Sequence, residues 1–401
     1  MQSNRKAVVA HLGARDHYEL AKALHETNQL ERLVTDFMLP TPFSYALPIT
    51  RSSTSLPLDR VMLPLTSLYM FGQRILDKKN TQHLVENIGT DLGLNSLAIA
   101  RKKKADLFLY SYDAYDAFKK GKDEGYEGKR ILFQVHPHPT SVRELLGTEI
   151  ERIPYSKQSI LDEMEFKLEA YCEKLARAPA LAQHILTASS FTKQTLVENG
   201  IDPAIISVVP YGVNFEHFEY KPRTYQPNNQ ILKVLFVGSM VQRKGIADLL
   251  IAIQSLHSHN IQLTICGRGG FDDNILSLFK DINLTVKRNL TRAELRHEMQ
   301  TADVFALPSI VEGFALVILE AMSCGLPVIT TPNTCAPDVI QENENGFIVP
   351  IKSAPALATK IQWCLENKQK LPEMSANAAK RAREFSWERF RRGVTDFYNH
   401  I

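Results

Sequence analysis

Tryptophan occurs twice and cysteine five times in 401 residues. The cysteines, at 172, 266, 324, 335 and 364, show no paired spacing, and an odd number without a framework excludes a disulfide scaffold. They read as reduced thiols, most of them small buried apolar residues of a cytoplasmic protein. No apolar run nears the roughly 18–20 residues that a membrane-spanning helix needs. The apolar stretch Ala7–Ala10 is too short for a signal-peptide core, and no secretory leader is expected. Charge of one sign is also lacking: 47 basic and 44 acidic side chains leave a formal net charge of +3. That balance gives nucleic acid no electrostatic footprint. There is no Asp-x-Asp motif and no set of carboxylates, cysteines or histidines at ligand spacing, so a metal site is not expected. Internal repeats and low-complexity tracts are absent.

What is present is alternation. Short apolar runs rich in β-branched and aromatic residues predict strands at Lys6–Ala10, Leu30–Thr35, Ala105–Tyr110, Ile131–Val135 and His184–Ala188. A second series follows at Val234–Val237, Leu263–Cys266, Val304–Leu307 and Pro327–Thr330. Helical patterns fall between them, at Tyr18–Glu26, Ser156–Lys174, Phe191–Asn199, Ile246–His257, Ala293–Gln300 and Ala315–Ser323. Strands alternating with helices imply parallel sheets covered on both faces, an α/β fold. The length suits two such domains. The polar stretch Glu219–Gln230, with two prolines, has the composition of a linker. We therefore expect an N-terminal domain over 1–215, a linker near 216–230 and a C-terminal domain over 231–384. Residues 40–91 resist the pattern and read either as a lid or acceptor-binding insertion or as irregular helices on the first domain. The basic clusters Arg101–Lys104 and Lys119, Lys120, Lys122 read as solvated surface, with weak contact to an anionic membrane face as the alternative.

The segment Ala302–Thr331, ADVFALPSIVEGFALVILEAMSCGLPVITT, carries the most chemistry. A strand ends at Pro308-Ser309, a loop holds Glu312-Gly313, and a helix starts near Ala315. The helix N-terminus then points to the carboxyl edge of the sheet, where open α/β folds bind ligands. Backbone N–H groups of Gly313, Phe314 and Ala315, together with the helix dipole, suit an anion such as a diphosphate. Gly313 would let the backbone approach that ligand. Glu312 before the helix and Glu320 about two turns into it stand roughly 10–12 Å apart along the axis. Carboxylates accept hydrogen bonds from paired hydroxyls, so the two suit the two ends of a nucleotide sugar.

With Glu312, Gly313, Phe314, Leu316, Glu320, Ala321, Met322, Gly325, Pro327 and Val328, this segment resembles the signature of the group 1 retaining glycosyltransferases. In that family a Glu, seven residues and a second Glu lie in EGF-x-L-x-x-x-E-A-M-x-x-G-x-P-V. Ala302-Asp303-Val304, Pro308-Ser309, Thr331-Pro332 and Asn345–Val349 fit the same family. Gly238-Ser239 and Arg243-Lys244-Gly245 resemble the family loop whose Arg and Lys reach the donor diphosphate. Lys244 matches, Ser239 stands where an Arg is usual, and Arg243 is the residue that would compensate. Farther upstream, His11–Arg15 resembles the family's first glycine loop, with Gly13 alone where two glycines are common. Gln134–His138 ends a strand where the family places a His near the transferred sugar. His136 is the better positional match and His138 its competitor. Phe385–Phe390 looks like the last family helix, which braces the N-terminal domain.

The resemblance implies a GT-B-like fold, two Rossmann-like doubly wound domains facing across a cleft. It implies a retaining, hexosyltransferase-type enzyme that moves a sugar from a nucleotide-diphosphate-sugar donor to a glycan, lipid-linked or small-molecule acceptor. Glu312, Lys244 and His136 would be catalytic. Gly13, Gly238, Ser239, Arg243, Lys244, Gly313, Phe314, Ala315, Leu316 and Glu320 would bind the donor. No cofactor and no metal are expected, and a cytoplasmic location, at most peripheral to the inner membrane face, follows. A nucleotide-sugar epimerase on the same fold and a non-catalytic nucleotide-sugar binding protein are the alternatives.

Overall fold

Runs such as Ala7–His11 and Asp106–Tyr110 bury every residue, the pattern of a strand covered on both faces. The computed structural model of the protein describes residues 5–11, 16–35, 56, 61–62, 81–224 and 230–401. Its first sheet contains β1 (Ala7–His11), β2 (Leu30–Thr35), β3 (Val61–Met62), β4 (Asp106–Tyr110), β5 (Arg130–Gln134), β6 (His184–Thr187) and β7 (Ile206–Val208). The second contains β8 (Leu232–Val237), β9 (Ile261–Cys266), β10 (Asn283–Lys287), β11 (Val304–Leu307), β12 (Val328–Thr330) and β13 (Gly346–Ile348). The orders are β3-β2-β1-β4-β5-β6-β7 and β10-β9-β8-β11-β12-β13, and every pairing is parallel. This is the GT-B-like, doubly wound α/β architecture. The strand order reverses between β1 and β4 in one sheet and between β8 and β11 in the other, which opens a crevice at the carboxyl ends of each.

The chain passes between the two sheets twice, side by side. After β7, Val213 donates its N–H to Phe385 O at 3.0 Å and forms a parallel bridge with Ser386. The helix Trp387–His400 then returns to the first sheet. Its Phe390, Val394, Phe397 and Tyr398 are buried, an apolar stripe at helical spacing. Arg391 pairs with Glu19 and Glu26 of the helix Glu19–Glu26, and the Tyr398 hydroxyl donates to Asp106.

Two segments depart from the sequence reading. The single helix expected over 156–174 is a series of short ones, Pro154–Ser156, Lys157–Leu161, Met164–Lys167 and Glu169–Arg177. No Pro or Gly breaks it after Pro154. The chain turns extended at Glu163 (φ −66°, ψ 147°), whose carboxylate reaches across to Arg243. Within 40–91, Thr81 opens a regular helix that runs to Lys103 and ends in the exposed basic cluster, complementing the helix dipole. Apart from residues 56 and 61–62, positions 40–80 lie outside the described residues.

Candidate active site

Lys244 is placed by the turn that follows β8. Residues Gln242–Lys244 form one 3-10 turn closed by Gly245 in the left-handed region (φ 70°). A Cβ on Gly245 would lie 1.9 Å from the Pro308 carbonyl oxygen, so only glycine lets this turn press onto the end of β11. The loop after β11 is anchored within its own domain. Ile310 N–H donates to Arg243 O, Glu312 N–H to Asn333 O and Cys335 N–H to Phe314 O. The helix Leu316–Ser323 then starts behind Ala315, which takes the left-handed conformation (φ 66°) without a side-chain cap. The helix thus begins one residue later than its sequence suggests.

Glu312 is the electrostatic centre. Its Oε1 lies 2.5 Å from Arg243 Nη1 and 2.6 Å from Lys244 Nζ. Burial alone would raise the carboxyl, but Arg243 and Lys244, with His136, hold it at about 2, so Glu312 is ionised throughout the neutral range. Glu320 behaves oppositely. Burial pushes it up to about 7, with Arg292 opposing.

Two cavities meet at this carboxylate. One, of about 340 Å³, is lined by Val237, Gly238, Lys244, Glu320, Tyr211 and residues 312–317, with Val135 and His136 from the facing sheet. The other, of about 350 Å³, is lined by Tyr112, His136, Pro137, Val142, Glu163, Met164, Glu165, Arg243, Val311, Glu312 and Gly313. His136, Glu312 and Gly313 border both. Gly238, Lys244, Phe314, Ala315, Leu316 and Glu320 are therefore brought together around the first cavity. The Phe314 ring itself is buried edge-on against Tyr211, 5.3 Å between centroids.

Several expected residues sit differently. Arg243, expected beside the diphosphate, borders only the second cavity. Its Nε is 3.1 Å from Glu163 and its Nη1 also donates to Val311 O. The carboxylates of Glu163 and Glu312 both hold the guanidinium, while Ser239, where the family usually has a cation, is exposed. Gly313 also has a packing reason to lack a side chain. A Cβ there would lie 2.1 Å from the Val135 carbonyl oxygen, so the glycine admits the facing domain. His138 is absorbed by structure: as N-cap it accepts from Thr140 N–H at Nδ1, and Nε2 lies 3.0 Å from Ala176 O. Burial lowers its pKa and keeps it neutral. His136 instead reaches both cavities, its ring edge-on to Tyr112. Gly13 lies outside the described residues.

Residues that no motif announces close the cleft. The Ser189 and Thr192 hydroxyls, at the start of the helix Ser190–Glu198, both donate to the Gly313 carbonyl. Arg152 forks onto Glu149 and Asp248, while the Gln242 amide donates to both of those carboxylates. Lys352 adds a contact to Glu149 at 3.4 Å. Burial works against the Glu149 carboxylate, but Arg152, Gln242 and Lys352 outweigh it and lower its pKa. Removing one partner from a buried network of this kind costs more than the intact network adds in net stability. Its members converge from distant positions, so no local spacing could reveal them.

Fold and site together define a GT-B-like architecture with a helix terminus and a lysine–glutamate pair in the cleft. Residues 219–384 match the model of the glycosyl transferases group 1, so this part of the chain is similar to that family. It is similar to an amylovoran biosynthesis glycosyltransferase of Erwinia amylovora, 27% identical over 203 residues, 48% of this chain. There the chain spans about half of the relative's length, 49%. The fold is similar to that of sucrose-phosphate synthase from Thermosynechococcus elongatus, at a TM-score of 0.64 and 18% identity over 99% of both chains. It is likewise similar to Anabaena HepE in complex with UDP-glucose, at a TM-score of 0.61 and 15% identity over 99% of this chain and 100% of that one.

Proposed function

We propose that the protein is a retaining glycosyltransferase that uses a nucleotide-diphosphate-sugar donor and needs no metal. The observation that carries this reading is the cavity bounded by Gly238, Lys244, the start of the helix Leu316–Ser323 and Glu320, with the ionised Glu312 at its inner end. The diphosphate fits beside Lys244 and the helix N-terminus, where a cation and free N–H groups face the cavity. Glu320 fits the ribose hydroxyls and Glu312 the donor sugar. The acceptor enters from the N-terminal side, past His136. The UDP-glucose held by HepE supports a donor of this kind.

In the reaction the bond from the anomeric carbon to the diphosphate oxygen breaks. A bond from that carbon to the acceptor oxygen forms on the same face. The acceptor proton passes to the departing phosphate oxygen, so a glycoside and a nucleoside diphosphate leave. Negative charge grows on the departing phosphate, and preorganised positive groups around it are the main source of rate. Lys244 and the helix terminus fill that role, and Lys244 carries more of it because position 239 is Ser. Glu312, held low by two cations, cannot protonate near neutrality and acts as a fixed hydrogen-bond acceptor.

A thermal-shift screen with UDP, GDP and ADP and their sugars tests the reading. A ligand at 100 times its Kd adds about 2.7 kcal/mol of stability. One base series should shift the melting point and its sugar should be turned over to the free nucleoside diphosphate. A protein that no nucleotide stabilises, or that binds the sugar nucleotide and leaves it intact with every acceptor offered, is not this enzyme.

A further inference from the structure

The cavity behind Glu312 has a chemistry distinct from that of the donor cavity. Three carboxyl groups, those of Glu163, Glu165 and Glu312, face about 350 Å³ of space together with a single cation, Arg243. That cation is committed: its Nε lies 3.1 Å from Glu163, and its Nη1 lies 2.5 Å from Glu312 and 3.3 Å from Val311 O. The half-buried Met164 supplies an apolar, adaptable wall between the two glutamates of the short helix region. Ionised carboxylates accept hydrogen bonds and donate none, so they match hydroxyl and ammonium donors and repel phosphate and carboxylate groups. The opening toward the donor cavity runs past His136, Glu312 and Gly313, the residues common to both.

We infer that this second cavity is the acceptor subsite and that Glu163 and Glu165 make it select an acceptor whose reacting end is a neutral or amine-bearing polyol, rejecting phosphorylated or carboxylated sugars. The inference rests on the donor reading above, because the cavity is an acceptor site only if the other one holds the donor. Arg243 is then a specificity element and not a diphosphate ligand. By neutralising Glu163 and Glu312 in part, it keeps both fixed and leaves no cation for an anionic acceptor. Burial raises the Glu165 carboxyl, with Glu163 adding to the effect and Arg243 opposing it.

Electrostatic labelling tests this without knowledge of the acceptor. All five native cysteines are buried, so a Met164→Cys variant of the full chain presents one accessible thiol. Its modification rate is compared for 2-aminoethyl and 2-sulfonatoethyl methanethiosulfonate, each normalised to a free thiol. The cationic reagent should win by at least tenfold, Glu163→Gln in the same background should cut that preference several-fold, and UDP, GDP or ADP affinity should be unchanged after modification. Equal or faster reaction with the anionic reagent, or no reaction at all, overturns the inference. Nucleotide affinity weakened by the label assigns the cavity to the donor and also overturns it. If Met164→Cys fails to fold, Val142→Cys on the same wall gives the same measurement. Failure of the donor reading appears separately, as absence of nucleotide binding in the unmodified protein.

Discussion

Gly313→Ala tests whether the two domains must meet for turnover. A Cβ at this position would lie 2.1 Å from the Val135 carbonyl oxygen, and ordinary contact begins at 3.4 Å, so the domains would have to part by 1.3 Å, the difference. The loop itself should still fold, because its hydrogen bonds to Asn333, Cys335 and Arg243 lie within its own domain. What the displacement removes is the pair of hydrogen bonds from Ser189 and Thr192 to the Gly313 carbonyl, now 2.5 and 3.0 Å long. At about 1 kcal/mol each, their loss disfavours the closed arrangement by about 2 kcal/mol. That corresponds to a fall of roughly 30-fold in turnover if only the closed state reacts. Nucleoside diphosphate binding, made by groups of the second domain, should change little. The assay is release of nucleoside diphosphate from the donor that the nucleotide screen identifies, with calorimetry for affinity. A Ser189→Ala, Thr192→Val double variant should reproduce the loss without the steric wedge. Turnover within threefold of the parent in Gly313→Ala would refute the coupling of closure to chemistry.

Lys244→Met, which keeps the stem and removes the ammonium, should lower turnover by at least about 100-fold, and Ser239→Arg in that background should recover part of it. Near-normal turnover in Lys244→Met would place the diphosphate elsewhere. Glu312→Ala should lower turnover with nucleoside diphosphate affinity kept, whereas Glu320→Ala should weaken that affinity first; equal weakening of calorimetric affinity by both would refute the assignment of ends. Because burial raises Glu320 to about 7, the free protein holds it largely protonated below that value and ionised above it. Nucleotide affinity should therefore rise between pH 6 and 8, and Glu320→Gln should flatten the profile. Incubation with EDTA should leave turnover intact, and loss restored by magnesium or manganese would contradict a purely protein-borne charge supply.

The interior of the fold is legible in the sequence and its rim is not. The nine strands read from apolar runs are β1, β2, β4, β5, β6, β8, β9, β11 and β12, all of them interior to their sheets. Among the described residues, the four that escaped, β3, β7, β10 and β13, are the sheet edges. An edge strand such as Asn283–Lys287 is only partly covered, so it carries no continuous buried pattern to read. The site divides the same way. Glu312, Lys244 and Glu320 lie in segments whose local geometry a strand-loop-helix pattern fixes. Glu163, Ser189 and Thr192 act through contacts between positions far apart in the chain, which no spacing encodes. Arg243 shows the cost of local inference: adjacent to Lys244 and sharing Glu312 with it, it is also held by Glu163, a partner 80 residues upstream.

The paired crossings near Val213 and Phe385 also bear on how the cleft can open. Two connecting strands joined by a hydrogen bond and a bridge, with Gly212 packed so that a Cβ would stand 2.3 Å from Trp387 N, behave as one doubled strap. Two crossings held side by side remove the free swivel that a single connecting strand would allow. Any opening about this strap turns small angular changes there into large separations at the far lip of the cleft, as with a door measured at its handle. A pair of spectroscopic labels across that lip would report such a motion.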